Sequence, residues 1–241
     1  MKLRAPIKGI FFDAGWTLFG NFLPANADWL ITKKMLEYAD PNILAAISQD
    51  KRAAAFERGI KYLDDNMLMT VMTEDEELRQ FEEFYSMIAE DLPELALTKW
   101  QISDIAYSKV FDIENYIFFD DTKSTLEALK GKYKLGIISD AWPSIERILK
   151  HGGIYDYFET KTFSCFLGTW KPNERMYRHA LEQMKLPPEQ TIYIEDGVEN
   201  LEGAEKCGIQ PVLITVKPEP ESTDKYPNIK KLSELLEILP E

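Results

Sequence analysis

The chain has only two cysteines, Cys165 and Cys207, among its 241 residues. Two thiols make no disulfide framework, so the expectation is two small buried residues in a reducing compartment. Histidine is equally scarce. His151 and His179 fall in predicted helices with no partner at metal-ligand spacing, and neither is read as catalytic. Positive charge is in deficit, with 28 Lys and Arg against 41 Asp and Glu for a net charge of −13. Nucleic-acid binders concentrate positive charge, so nucleic acid is excluded as a main partner. An anionic substrate would need a local cation to overcome the overall field. Long apolar runs are missing too. The run that Asp13 ends is too short for a signal-peptide core, and none approaches the ~18 residues of a membrane helix. The expectation is a cytoplasmic protein with no membrane partner. Glycine thins out over one long stretch, where Gly59 stands alone between Gly20 and Gly131 and the prolines are Pro24, Pro41 and Pro93. That region, about Phe19 to Asp112, reads as helical. There is no repeat and no low-complexity segment.

What is present alternates outside that stretch. Ile7 to Asp13 reads as a buried strand through Ile10, Phe11 and Phe12. Within the helical region, Thr73-Glu74-Asp75-Glu76 is a capping box, and Leu78, Phe81, Phe84, Tyr85 and Ile88 then recur at helical spacing. Trp29, Met67, Met69, Met72 and Trp100 are read mainly as the core of a small helical bundle, with a substrate pocket as the alternative. After Tyr116 the predicted elements are a strand at Lys134–Ser139 and a helix between Pro143 and Gly152-Gly153. A helix at Arg175–Met184 and a strand at Thr191–Glu195 follow. A helix at Asn200–Cys207 stopped by Gly208, a strand at Gln210–Val216 and a terminal helix at Ile229–Leu239 complete the chain. Lys217 to Pro227 reads as a surface loop. This order predicts an α/β fold: a Rossmann-like, doubly wound parallel sheet with an all-helical insertion. The division is 1–18 and 113–241 for the core, 19–112 for the inserted helical domain.

Four elements carry chemistry. Asp13 closes the first strand, where open α/β sheets place ligands. Ser139-Asp140 ends a second strand; Ser139 also suits a helix cap. Lys171 lies just before Pro172 at a helix start. Glu195-Asp196 are adjacent acids closing an apolar strand. Their repulsion costs stability unless a cation or strong donors compensate. An oxygen-only acidic cluster suits Mg²⁺. In a parallel sheet the carboxyl ends of the strands share one edge, so these four groups can converge.

In order and spacing, this set resembles the four motifs of the haloacid dehalogenase-like hydrolases. The stretch Asp13-Ala14-Gly15-Trp16-Thr17 is similar to the first motif, Asp-x-Asp-x-Thr, with Trp16 where glycine is usual. The insertion resembles the helical cap of the subgroup with phosphoglycolate phosphatases, β-phosphoglucomutase and haloacid dehalogenases. The resemblance implies that Asp13 is the nucleophile and forms an aspartyl-phosphate. It gives Ser139, with Asp140, to a phosphoryl oxygen and makes Lys171 the fixed cation. It implies Mg²⁺ held by Asp13, the Gly15 carbonyl, Asp196 and Glu195. A small phosphorylated metabolite is the implied partner, while substrate identity and oligomeric state are not legible. Trp16 and Trp142 are candidates to wall the pocket or meet the cap.

The departure is Gly15, where phosphatases of this family carry the second aspartate, their general acid and base. That group contributes ~10²–10⁴-fold. Three readings follow: a Mg²⁺-dependent phosphatase with another proton shuttle, a dehalogenase, or an impaired homologue binding a phosphorylated ligand or a protein. The retained Glu195-Asp196 pair and Lys171 favour the first. Dehalogenases need no metal and have small polar residues there.

Overall fold

The predicted apolar runs pair edge to edge in one parallel sheet. Its strands are β1 (Gly9–Phe12), β4 (Lys134–Ser139), β5 (Thr160–Phe163), β6 (Thr191–Glu195), β7 (Gln210–Ile214) and β8 (Asn228–Ile229). Their order is β5-β4-β1-β6-β7-β8, and every pairing is parallel. The first strand therefore lies centrally, with its successors on either side. That is the topological switch point at which open α/β sheets bind ligands. The computed structural model describes residues 3–21 and 30–240, and at 67–70 the backbone alone. Trp29 and the side chains of Met67 and Met69 lie outside the described residues.

The helices are α1 (Lys33–Tyr38), α2 (Pro41–Ala46), α3 (Gln49–Thr70), α4 (Glu74–Asp91), α5 (Lys99–Phe111), α6 (Thr122–Leu129), α7 (Ile145–His151), α8 (Ser164–Leu167), α9 (Glu174–Met184), α10 (Val198–Lys206) and α11 (Leu235–Ile238). The chain divides into two units. One takes in Met1–Asn26, Tyr116–Ala141 and Ile145–Glu241, the other Ala27–Asn115 and Trp142–Ser144. The first is the Rossmann-like α/β unit and the second is the helical insertion.

In the α/β unit, strand alternation sorts the side chains. Register pairs Phe11 with Gly136 and Tyr193, and Tyr193 with Pro211. Two-residue periodicity then puts Phe11, Ile138, Tyr193 and Leu213 on one face. They pack there with Met176, Tyr177, Ala180 and Met184 of α9 and Leu201 and Ala204 of α10. In the helical unit, α4 starts at the capping box, with Thr73 and Glu76 exchanging hydrogen bonds. Its Phe81, Phe84, Tyr85 and Ile88 are buried against Ile105, Ala106 and Val110 of α5.

Three expectations are corrected. Phe19 is not helical: Phe19–Asn21 forms β2, paired antiparallel with β3 (Tyr116–Phe118). Three residues carry too little periodicity to reveal a strand whose partner is about a hundred residues away. The terminal helix is much shorter than 229–239, because Ile229 joins β8 and only Leu235–Ile238 is α-helical. Met72 and Trp100 are not core, at 55% and 68% exposed.

Candidate active site

Every member of the site sits at the carboxyl edge of the sheet for a local reason. Asp13 directly follows β1, and its N–H continues the ladder to the Ile194 carbonyl at 2.9 Å. The same alternation that buries Phe11, Ile138 and Tyr193 against α9 directs Asp13, Asp140 and Glu195 toward that face. The turn entering α9 supplies Lys171 there. Gly203 of α10 makes room for this turn. A Cβ at Gly203 would come within 2.8 Å of Pro172 Cβ and 2.9 Å of the Pro172 carbonyl oxygen.

Lys171 is the centre of the cluster. Its Nζ donates to Asp13 Oδ1 at 2.7 Å, to Glu195 Oε2 at 2.7 Å and to the Tyr193 hydroxyl at 3.1 Å. Its backbone N–H donates to Asp140 Oδ1 at 3.0 Å. Asp13, Ser139, Lys171, Glu195 and Asp196 are all buried, whereas Asp140 is exposed. The Ser139 hydroxyl lies beside Asp13 and helps to lower its pKa. The Ala141 N–H after this pair donates to Ser164 Oγ at 3.0 Å, anchoring the loop that leaves β4.

Glu195 is saturated. Its Oε1 accepts the N–H groups of Asp196 and Gly197, each at 3.0 Å. Its Oε2 takes Lys171 and faces the Tyr193 hydroxyl at 2.6 Å. That phenol has one proton and a second acceptor in the Ile138 carbonyl at 2.9 Å; the charged carboxylate is the stronger partner. Burial alone would raise the Glu195 pKa, but Lys171, then the Tyr193 hydroxyl and the Asp196 side chain, hold it down to about 2. Asp13 and Asp196 behave oppositely. Burial pushes Asp13 up to about 7 despite Lys171, with Glu195 adding repulsion. Burial, then Glu195 and Asp13, push Asp196 up to about 8 despite Lys217. Burial works to lower the Lys171 pKa, but Asp13, Glu195 and Asp140 together raise it well above its ordinary value.

Three buried carboxylates thus face two ammonium groups, Lys171 and Lys217, the latter 2.6 Å from Asp196 Oδ2. Ligand oxygens of Asp13, Glu195 and Asp196 all lie within 4.8 Å of one another. Hard oxygen donors with a shortage of positive charge suit a small divalent cation such as Mg²⁺. Burial also strengthens any electrostatic stabilisation of a developing anion.

Asp13, Ser139, Lys171, Glu195 and Asp196, all predicted from sequence, gather in this unit. Gly15 follows in the half-buried turn after Asp13, and Trp16 beside it adopts a left-handed φ of 54°. Such a backbone in a tryptophan is strained, and strain of this kind is concentrated at functional sites. Trp142 takes the second of the two placements read for it and packs within the helical unit, its indole N–H donating to Gln80 Oε1 at 2.8 Å and its ring 5.2 Å from Phe81. Two contributors escaped the sequence reading. Tyr193 looked like one more apolar strand residue, although its two-residue spacing from Glu195 shares a face with it. Lys217 lay in an apparently plain surface loop.

The family model for haloacid dehalogenase-like hydrolases matches residues 7–208. The chain is 33% identical over 103 residues to the glyceraldehyde 3-phosphate phosphatase of Methanothermobacter thermautotrophicus, covering 40% of this chain and 44% of that protein. It is 35% identical over 65 residues to the pyrimidine 5'-nucleotidase YjjG of Escherichia coli, 27% of this chain and 29% of that one. The matched stretches therefore span less than half the length of either relative. Among solved structures, the HAD-hydrolase YfnB of Bacillus subtilis, bound to magnesium, superposes with a TM-score of 0.65 at 19% identity. That match covers 98% of this chain and 99% of the other, a likeness of fold.

Proposed function

The chain belongs to the haloacid dehalogenase-like hydrolases, and we propose that it is a Mg²⁺-dependent phosphomonoesterase acting on a small phosphorylated metabolite. The observation that carries this reading is the buried cluster in which Lys171 bridges Asp13 and Glu195 beside Asp196. A dehalogenase has no use for that acid pair, which is unstable without a cation. Asp13, Asp196 and the Gly15 carbonyl would hold the metal. Glu195 is within reach of the same ion, but its oxygens are taken, so its part is to fix Lys171. When bound, Mg²⁺ would neutralise charge on the phosphoryl oxygens and the carboxylates.

This chain's residues then divide the work. An Asp13 oxygen attacks phosphorus, a phosphorus–oxygen bond forms, and the bond to the ester oxygen breaks. Lys171 offsets the charge that accumulates on the equatorial oxygens, already oriented by Glu195 and Tyr193. Ser139 donates to a phosphoryl oxygen. Water then attacks the aspartyl-phosphate, releasing phosphate and restoring Asp13. Gly15 has no side chain to protonate the departing oxygen, so that proton comes from another source, for which water is the simplest.

Release of phosphate from p-nitrophenyl phosphate, then from a panel led by triose phosphates and pyrimidine nucleotides, tests the proposal with and without Mg²⁺. Turnover that needs Mg²⁺ and disappears in Asp13→Asn is the expected result. Gly15 specifically favours a second reading, a homologue that binds a phosphorylated ligand without turning it over. Ligand binding with no turnover across the panel would support that reading and reject the first.

A further inference from the structure

Asp196 is paired with a cation from outside the motifs that the sequence displays. Lys217, three residues beyond β7, places Nζ 2.6 Å from Asp196 Oδ2. The Asp196 side chain is 10% exposed and that of Lys217 32%, so the bond is made at the rim of the buried cluster. Four residues on, the Glu221 carboxylate accepts the Val198 N–H at 2.8 Å. The segment from Lys217 to Glu221 is therefore fastened at two points to the turn Asp196-Gly197-Val198, one of them through a proposed metal ligand. The neighbouring Glu195 has both oxygens engaged by four donors, whereas the Asp196 carboxylate takes its ammonium partner, Lys217, on Oδ2.

We propose that Lys217 is an internal counter-cation that holds Asp196 in the metal-free protein and competes with the divalent ion for it, so that metal binding releases the Lys217 end of the 217–221 strap. An ammonium and a divalent cation repel each other, and each would claim the open oxygens of the same carboxylate. Binding one weakens the other by linkage. Lys217 thereby lowers the apparent affinity for Mg²⁺ and keeps the buried acids compensated when the metal is away. Glu221 holds the far end of the strap, so the released lysine stays close to the site.

This inference rests on Asp196 being a metal ligand, and the experiment separates the two. Mg²⁺ alone is titrated by calorimetry into the full chain and its Lys217→Gln, Lys217→Arg and Asp196→Asn variants. Lys217→Gln is expected to bind Mg²⁺ about fivefold more tightly, the weight of one partly exposed ion pair. Lys217→Arg, which keeps the charge, should stay within about twofold of the parent. Hydrogen exchange provides the second readout. Mg²⁺ should speed exchange of peptides covering 215–221 in the parent, while in Lys217→Gln those peptides should exchange rapidly with or without it. Unchanged or weaker Mg²⁺ binding in Lys217→Gln, with binding lost in Asp196→Asn, overturns the role of Lys217 and spares the metal site. Undiminished binding in Asp196→Asn overturns both.

Discussion

The Lys171 ammonium and the Glu195 carboxylate meet at 2.7 Å with side chains only 4% and 2% exposed. The same ammonium is 2.7 Å from Asp13. One cation therefore serves two buried anions, and its removal strands both. Lys171→Met is expected to destabilise the metal-free protein at neutral pH by about 3–5 kcal/mol. It should also lower kcat by at least ~10²-fold. Urea denaturation and phosphate release measure the two effects. A variant as stable as its parent would show that the pair does not compensate these carboxylates.

Gly15 decides how turnover depends on the leaving group. Without an acid beside the departing oxygen, rates should fall steeply as leaving-group pKa rises, from nitrophenyl to alkyl phosphates. Gly15→Asp should raise kcat on alkyl phosphates by ~10²-fold or more and change aryl phosphates least. A linear free-energy plot for both proteins is the check, and parallel slopes would contradict the assignment.

Gly203 lets α10 approach the turn that carries Lys171. A methyl there would press on the Pro172 backbone as well as on Tyr177, and backbone cannot swing aside. Gly203→Ala is expected to cost about 1–3 kcal/mol and to lower kcat by displacing Lys171. Gly131, with open space where its Cβ would be, is the control for crowding, though its φ of +78° adds backbone strain. Chemical denaturation and kcat for both variants separate crowding from strain.

Glu77 gives the helical unit a pH dependence. It is 1% exposed and accepts the Ser144 N–H at 2.8 Å and the Ser144 hydroxyl at 2.7 Å. Burial pushes its pKa up to about 7, against the lowering pull of Ser144 and Lys109. The folded state thus holds the proton more tightly than the unfolded chain. The stability from that proton is full below about pH 4.5 and is lost as pH rises through about 7, roughly 3 kcal/mol in all. Glu77→Gln should flatten this slope. Denaturant midpoints between pH 4.5 and 8 measure it, and equal slopes in both proteins would refute the account.

The central strands of the α/β unit were legible because local chemistry specifies them, whereas the outer strands β5 and β8, of four and two residues, were not. Lys134–Ser139 and Thr191–Glu195 are strands as read, since apolar runs of that length, bounded by turn formers, leave few alternatives. The Thr73 capping box marks the start of α4 for a similar reason, each donor finding its acceptor within one turn. The acids and Lys171 were legible through their places at strand ends and a helix start. Less legible were β2 and β3, whose pairing joins Phe19 to Phe118. Trp100 misled because composition does not say which face of a helix is covered, and Met72 because it lies in the short connection between α3 and α4.

Taken alone, the sequence determined four strands of the parallel sheet (β1, β4, β6 and β7), the helical insertion, and the one edge of the sheet on which Asp13, Ser139, Lys171 and Asp196 could meet. Those properties follow from periodicity and capping, which act over a few residues. The tertiary structure alone decided how charge is shared among them: Tyr193 and two backbone N–H groups saturate Glu195, Gly203 seats the Lys171 turn, and Lys217 reaches Asp196 from a loop. Burial and distance set the strength of those interactions, and both depend on parts of the chain that are far apart until it folds.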